Sequence, residues 1–450
     1  MSHVFHRSNS AKYPIAVKGD GVYVIDKEGN RYFDGSSGAA VSCLGHSNEA
    51  VRSAIKEQVD KIAYAHSGFF TTDPAEELAD FLVSRAPKGI DRVYFVSGGS
   101  EAVEASIKLC RQYFLEIGKP EKRYVIARMQ SYHGNTLGAL SAGGNQWRRK
   151  QYEPLLVDMH HISACYKYRG KNEGESDFDY GQRVANELET KILELGADKV
   201  MAFCAEPVVG ATMGCVTAEE GYFKRIREIC DKYEVLLILD EVMCGMGRTG
   251  TLFAAEQEGI TGDIITIAKG LGAGYQPIGA MLVSKKIYDA ITNGSGFFQH
   301  GHTYMGHATA CAASLAVQKF IESEGLLANV VDKGNKLQAS LIERFANHPF
   351  VGDIRGRGLF QAIEFVQDKA TKAAFASEDK INAKIKTAAM KNGLMCYPMG
   401  GTIDGKNGDH VMFSPPFIVE DKHINEITDK FAAAIDDVFA TVQVKKAVNA

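Results

Sequence analysis

The chain of 450 residues contains no long run of one charge sign and no apolar stretch approaching the length of a membrane span. Its 51 basic and 55 acidic residues leave a net charge of −4, so it offers neither nucleic acid nor an anionic membrane surface a complementary field. Paired C-x-x-C cysteines are missing as well. The nine cysteines are scattered and odd in number, and several lie in apolar runs such as Met201-Ala202-Phe203-Cys204. That is the pattern of buried free thiols in a reducing compartment. Residues 1–12 are polar and lack an apolar leader core, so a cytoplasmic location is the expectation. Repeats and low-complexity linkers are absent. So are G-x-x-x-x-G-K-[ST], H-E-x-x-H and G-x-S-x-G, which argues against P-loop, zincin and α/β-hydrolase chemistry. His300, His302 and His307 invite a metal reading, but glycines surround them and no acid or cysteine completes the set nearby. Loop and helix-start histidines are expected there, and no metal.

What is present is a 45% apolar chain, long enough to bury a large core and to divide into domains. The apolar runs 93–96, 124–127, 200–204, 235–239, 264–268 and 278–283 read as strands. They are continuous rather than alternating, which implies strands covered on both faces and hence a mainly parallel sheet between helix layers. Helical periodicity fills 101–117, 218–233 and 307–323. After 323 the texture changes. Amphipathic segments at 329–346 and 377–391 flank a glycine-punctuated stretch, 352–365, and a last helix begins at 420. The expected fold class is α/β, with a large domain over 55–323 and a smaller α+β domain built from 1–54 together with 324–450.

Two charged residues stand where strands end. Lys269 closes the run Ile264-Ile265-Thr266-Ile267-Ala268 and enters Gly270-Leu271-Gly272-Ala273-Gly274. An amine held in an apolar mouth has its pKa lowered by desolvation and becomes nucleophilic. Asp240-Glu241 follow Val235-Leu236-Leu237-Ile238-Leu239. Desolvating such charges unpaired costs several kcal/mol each, so the pair calls for a compensating ligand. Pyridoxal phosphate needs a lysine for a Schiff base and an acid against its pyridine nitrogen. The turn Ser97-Gly98-Gly99-Ser100, placed before a helix, either cradles a phosphate or simply connects strand to helix with Glu101 as a capping acid. Tyr132-His133-Gly134 follows another strand, and its aromatic either stacks on a planar ring or joins the core. Gly245-Met246-Gly247-Arg248-Thr249-Gly250 matches G-x-G-x-x-G and leaves an NAD-dependent oxidoreductase open, although helical periodicity does not begin inside the motif.

Taken together and in this order, the following pieces resemble the class III (ω-) aminotransferases of pyridoxal-phosphate fold type I, over roughly residues 15 to 435: Tyr32-Phe33-Asp34-Gly35, Ser97-Gly98-Gly99-Ser100-Glu101-Ala102, Tyr132-His133-Gly134, Glu206-Pro207, Leu239-Asp240-Glu241-Val242, Gly247-Arg248-Thr249-Gly250, Ala268-Lys269-Gly270 and His302-Thr303-Tyr304. The resemblance implies that Lys269 forms the Schiff base and shuttles the proton, while Asp240 pairs with the pyridinium. It implies that Val242 and Tyr132 cover opposite ring faces and that Gly99 and Ser100 hold the phosphate. Thr303 would reach that phosphate from the second subunit of a homodimer, and Gly98, His133 and Glu206 complete the cofactor-binding set. The activity implied is transfer of an amino group through a pyridoxamine phosphate intermediate. A racemase, an aminomutase or a decarboxylating transaminase on the same fold remains open.

Relatives acting on ornithine or 4-aminobutyrate resemble F-H-G-R where this chain has Tyr132-His133-Gly134-Asn135, and carry an arginine where Met412 precedes Pro415-Pro416. They carry a glutamate where Ala211 ends Glu206-Pro207-Val208-Val209-Gly210-Ala211. Loss of these groups removes a fixed carboxylate clamp. The pattern is more similar to the amine/ω-amino acid:pyruvate branch, whose members often use a mobile loop arginine. The corresponding loop here, 399–408, has Lys406 as its one cation, and Ala39-Ala40 stand where a bulky aromatic is often found. Ala40, Phe69 and Lys406 are therefore the expected substrate-facing residues.

Overall fold

The computed structural model describes residues 3–9 and 11–448. Met1, Ser2, Ser10, Asn449 and Ala450 lie outside the described residues, and with them parts of the polar segment 1–12 and the outer ends of the expected smaller domain.

The centre is a seven-stranded sheet in the spatial order Ile90–Val96, Gly279–Ser284, Ile264–Ile267, Leu236–Asp240, Val200–Ala205, Tyr124–Arg128 and His160–Ile162. Gly279–Ser284 runs antiparallel to both neighbours, and every other pair is parallel. Val200–Ala205, Leu236–Asp240 and Ile264–Ile267 are buried at every position. Alternate residues serve the two faces: Phe203, Leu237 and Ile265 enter one apolar cluster, and Cys204, Ile238 and Ile264 another. This two-sided burial is why these strands read as unbroken apolar runs. The register Asp240↔Thr266 brings the ends of two parallel strands to one edge of the sheet. Val96 and Ile267, paired with Gly279 and Ala280 across the antiparallel strand, end on the same edge. In open α/β sheets ligands bind outside such carboxyl ends.

The helices expected at 101–117, 218–233 and 307–323 are Gly99–Glu116, Tyr222–Lys232 and Ala308–Ser323. Gly99–Glu116 starts earlier than the periodicity suggests, so its free amides lie within the Ser97–Ser100 turn. The glycine-punctuated 352–365 is a hairpin of Val351–Arg357 and Phe360–Phe365, continued by Asp409–Phe413 and Tyr397–Gly400 into a four-stranded antiparallel sheet. Leu326–Phe345, Ile381–Lys391 and Asp421–Val448 are the helices of this part of the chain. The N-terminal strands Ala16–Asp20, Tyr23–Asp26 and Arg31–Asp34 form a further sheet, completed by Leu394–Met395, which pairs in parallel with Arg31–Asp34. Val22, Phe33 and Leu44 share one core with Leu337, Phe365, Phe413 and Ile427. The helix Glu49–Lys61 runs unbroken through positions 54 and 55. All nine cysteines are free, eight of them buried, and no helix among the described residues is long and apolar enough to cross a membrane.

Candidate active site

A cavity of about 430 Å³ opens at the carboxyl edge of the large sheet. Nine of the residues singled out from the sequence line it: Gly98, Gly99 and Ser100 from one turn, Tyr132 and His133 from a second, then Glu206, Asp240, Val242 and Lys269. Each reaches it from a strand end or the turn after it, which is why residues spread over more than a third of the chain meet in one place.

Lys269 follows the buried strand Ile264–Ile267 and adopts a φ of 45°, a left-handed conformation uncommon for a residue with a side chain. Such backbone strain recurs where surrounding structure fixes a functional side chain. Burial holds its amine below the ordinary lysine range, against the opposing pull of Asp240 and Glu206. Asp240 is fixed from three sides. His133 Nδ1 lies 2.7 Å from Oδ2, the Val242 N–H donates to Oδ1 at 3.0 Å, and the Thr266 hydroxyl stands 3.4 Å from Oδ1. Burial disfavours a charge on His133, but the neighbouring Cys204 sulfur and the Asp240 carboxylate outweigh it and lift the histidine well above its ordinary pKa. Glu206 is buried, accepts the Gly210 N–H at 3.3 Å through Oε1, and has no partner for Oε2 among the described residues. Desolvation pushes its pKa up to about 7. Glu241, the second acid of the strand end, turns away and accepts the Ala254 and Ala255 N–H groups at 2.6 and 2.9 Å.

The turn at 97–100 is open where a ligand would sit and closed behind. A Cβ at Gly98 would meet nothing within 4 Å, whereas one at Gly99 would lie 2.8 Å from Val242 Cγ1. Ser100 Oγ accepts the Asn135 N–H and donates to Asn135 Oδ1, both at 3.1 Å, tying this turn to the one carrying Tyr132. The residues fit pyridoxal phosphate: a desolvated lysine, a carboxylate at the adjacent strand end, and a glycine-lined helix start for an anion.

Four expected site residues do not line this cavity. Thr303 is exposed outside the cavity, and its carbonyl accepts the Tyr64 hydroxyl at 2.7 Å. Phe69 is 82% exposed. Ala40 is buried in a small apolar cluster with Phe360 and Met412, while its neighbour Val41 lines the cavity. Lys406 is exposed and does not line the cavity. Its loop is not the open, swinging segment expected over 399–408. Two of those residues are strand, and the Asp404 carboxylate accepts the N–H groups of Lys406 and Asn407 at 2.8 and 2.7 Å. The Gly401 N–H donates to the Gly408 carbonyl at 2.7 Å, which closes the turn.

The glycine hexamer at 245–250 packs rather than opens. A Cβ at Gly247 would stand 2.8 Å from Leu327 and 2.9 Å from Phe417, and buried Arg248 donates to the carbonyls of Leu359 and Pro415 at 3.1 and 2.6 Å. No dinucleotide can lie against it. His300, His302 and His307 do not form a metal-holding group, and none exists among the described residues. Gln276, Pro277 and Met243 line the cavity without having been singled out. Their nearness to Lys269 and Asp240 along the chain was the available signal.

The family model described as Aminotransferase class-III matches residues 5–435. An uncharacterized aminotransferase of Schizosaccharomyces pombe is 44% identical over 98% of this chain and 96% of its own length. A diaminobutyrate–2-oxoglutarate transaminase of Halomonas elongata is 35% identical over 97% and 93% of the two chains. The solved ω-transaminase of Pseudomonas jessenii in complex with PMP superposes with a TM-score of 0.92 at 32% identity, over 98% of this chain and 97% of that one. The chain therefore belongs to the class-III aminotransferases, enzymes that work with pyridoxal phosphate.

Proposed function

We propose that the enzyme moves an amino group from an amine or ω-amino acid to pyruvate or a similar keto acid, and that Lys269 and Asp240 carry the chemistry. The observation behind this reading is that a desolvated amine, a thrice-held carboxylate and a glycine-lined helix start face one cavity. When bound, pyridoxal phosphate supplies the electron sink and carries the amino group from donor to acceptor. Lys269, whose buried amine sits below the ordinary lysine range, would hold the cofactor and would be the group that moves a proton at the substrate Cα. A positioned acid–base group of this kind contributes about 10²- to 10⁴-fold. Asp240 would hold a proton on the ring nitrogen, His133 fixes the orientation of Asp240, and Val242 and Tyr132 would enclose the ring. Gly98, Gly99 and Ser100 would hold the phosphate through amides at the start of Gly99–Glu116, where the helix dipole favours an anion.

Thr303, exposed and absent from the lining of its own cavity, is assigned to the phosphate of a second subunit in a homodimer. The donor class rests on Asn135, Ala211 and Met412, which leave the reacting centre without a fixed carboxylate clamp and so tolerant of plain amines. The test is alanine formation from pyruvate with a panel of amines and ω-amino acids, together with the visible band of the holoenzyme. Borohydride should abolish the band and leave the pyridoxyl mass on Lys269. No alanine from any donor in the panel would overturn the substrate assignment, and the pyridoxyl mass on another lysine would overturn the site.

A further inference from the structure

Beside the cofactor cavity lies a second chamber of about 610 Å³, and Tyr132 and Gly134 line both. Two arginines, Arg7 and Arg148, face this second chamber, as do Asn135 and Trp147. The Arg148 guanidinium carbon stands 4.5 Å from the centroid of the Tyr132 ring and 5.7 Å from that of Trp147. Stacking of this kind holds a guanidinium flat and leaves its edge free for a bidentate partner. Unlike Arg169 and Arg355, which share the buried carboxylate of Glu364, Arg148 has no carboxylate partner among the described residues, and its buried Nε is unpaired. Its position is set by the single turn Gln146–Arg149, capped by the Asn145 side chain. Gly134 packs closely there, since a Cβ would lie 2.7 Å from Ser100 Oγ and 2.9 Å from Ala139 Cβ, and it contributes no side chain to the wall that the two cavities share.

We infer that Arg148, backed by Tyr132 and Trp147, binds the carboxylate of a substrate whose reacting carbon lies several bonds away, as in an ω-amino acid donor or the far carboxylate of a dicarboxylic keto acid. The inference rests on the transaminase reading above and narrows its substrate class. With the cation at a distance from the reacting centre rather than beside it, a chain without the usual clamps would accept plain amines and still select acids.

Trp147 is the only tryptophan of the chain, so the chamber carries its own reporter. Glutarate, a dicarboxylate that cannot react, should change the fluorescence of the holoenzyme saturably, with an affinity at least tenfold weaker in Arg148→Ala and partly restored in Arg148→Lys. In turnover, Arg148→Ala should raise the KM for 4-aminobutyrate about 10- to 100-fold while that for butylamine stays within about twofold. Replacing pyruvate by 2-oxoglutarate separates the two carboxylate sources, since only the second has a far carboxylate. Equal losses for 4-aminobutyrate and butylamine would make Arg148 a mere prop for Tyr132 and overturn the proposal, as would an unchanged fluorescence titration. Failure of the transaminase reading would show instead as no turnover with any donor, leaving the glutarate titration to decide on Arg148.

Discussion

Asp240→Asn is the sharpest single perturbation of the site, because it removes one charge and keeps the shape. The carboxylate accepts from Val242 N at 3.0 Å and from Thr266 Oγ1 at 3.4 Å and meets His133 at 2.7 Å, all of which an amide oxygen can partly satisfy. What an amide cannot do is hold a proton on a ring nitrogen. A unit charge at about 4 Å in an effective dielectric of about 20 is worth about 4 kcal/mol, or about three pKa units at the nitrogen. Partial compensation by repositioned dipoles brings the expected fall in kcat to about 10²- to 10³-fold. Cofactor occupancy, held by the phosphate turn and the ring faces, should fall far less. The assay measures turnover at saturating cofactor alongside pyridoxal phosphate released in alkali. His133 supplies an internal control, since loss of the Asp240 charge should lower its pKa. Unchanged turnover in a cofactor-saturated Asp240→Asn enzyme would refute the role.

Lys269→Ala should abolish turnover while the protein still binds pyridoxal phosphate through the turn at 97–100, measurable by equilibrium dialysis. Gly99→Ala places a Cβ 2.8 Å from Val242 Cγ1 and must push that wall of the cavity inward, so cofactor affinity should drop about tenfold with little change in melting temperature. Lys406→Ala should leave the KM for pyruvate unchanged, since the side chain is exposed and its loop is closed by Asp404. Glu206, raised from 4.5 to about 7, binds a proton in the folded state that the unfolded chain has released. Stability from this group is thus fully present below about pH 4.5 and is lost as pH rises through 7, by a few kcal/mol at most. Glu206→Gln should flatten that decline in denaturant titrations between pH 5 and 8; an unchanged slope would mean the carboxylate is already ionised when folded.

How much of this could be read from the sequence depended on how local the cause was. Lys269 and Asp240 were legible because a continuous apolar run forces a strand into the interior, and a charge at its end must then meet a compensating group. The turn at 97–100 was ambiguous, and became informative only once Gly99–Glu116 proved to begin inside it. Where partners are distant, nothing local announces them. The parallel pairing of Leu394–Met395 with Arg31–Asp34 joins opposite ends of the chain, and neither segment signals it. By composition the loop at 399–408 is free, because its glycines permit many backbone states. A single carboxylate, Asp404, accepting two backbone N–H groups, removes most of that freedom, and its effect is invisible to composition.

Arg148 shows the same limit from the other side. A search for the missing carboxylate clamp along the sequence looks where relatives carry arginine, at positions now held by Asn135 and Met412, and finds none. The structure offers a cation that no alignment of those positions would suggest, because a four-residue turn folds back so that Arg148 lies over the ring of Tyr132. A clamp beside the reacting carbon favours acids for every substrate, whereas a cation in a neighbouring chamber rewards only molecules long enough to reach it. Chain length of the donor therefore becomes the informative variable. For ω-amino acids of increasing length, kcat/KM relative to the matching plain amine should stay near one while the carboxylate falls short of Arg148, then climb once it arrives. That climb should vanish in Arg148→Ala. A ratio that is flat with length in the wild-type enzyme would mean that the second chamber takes no part in choosing the substrate.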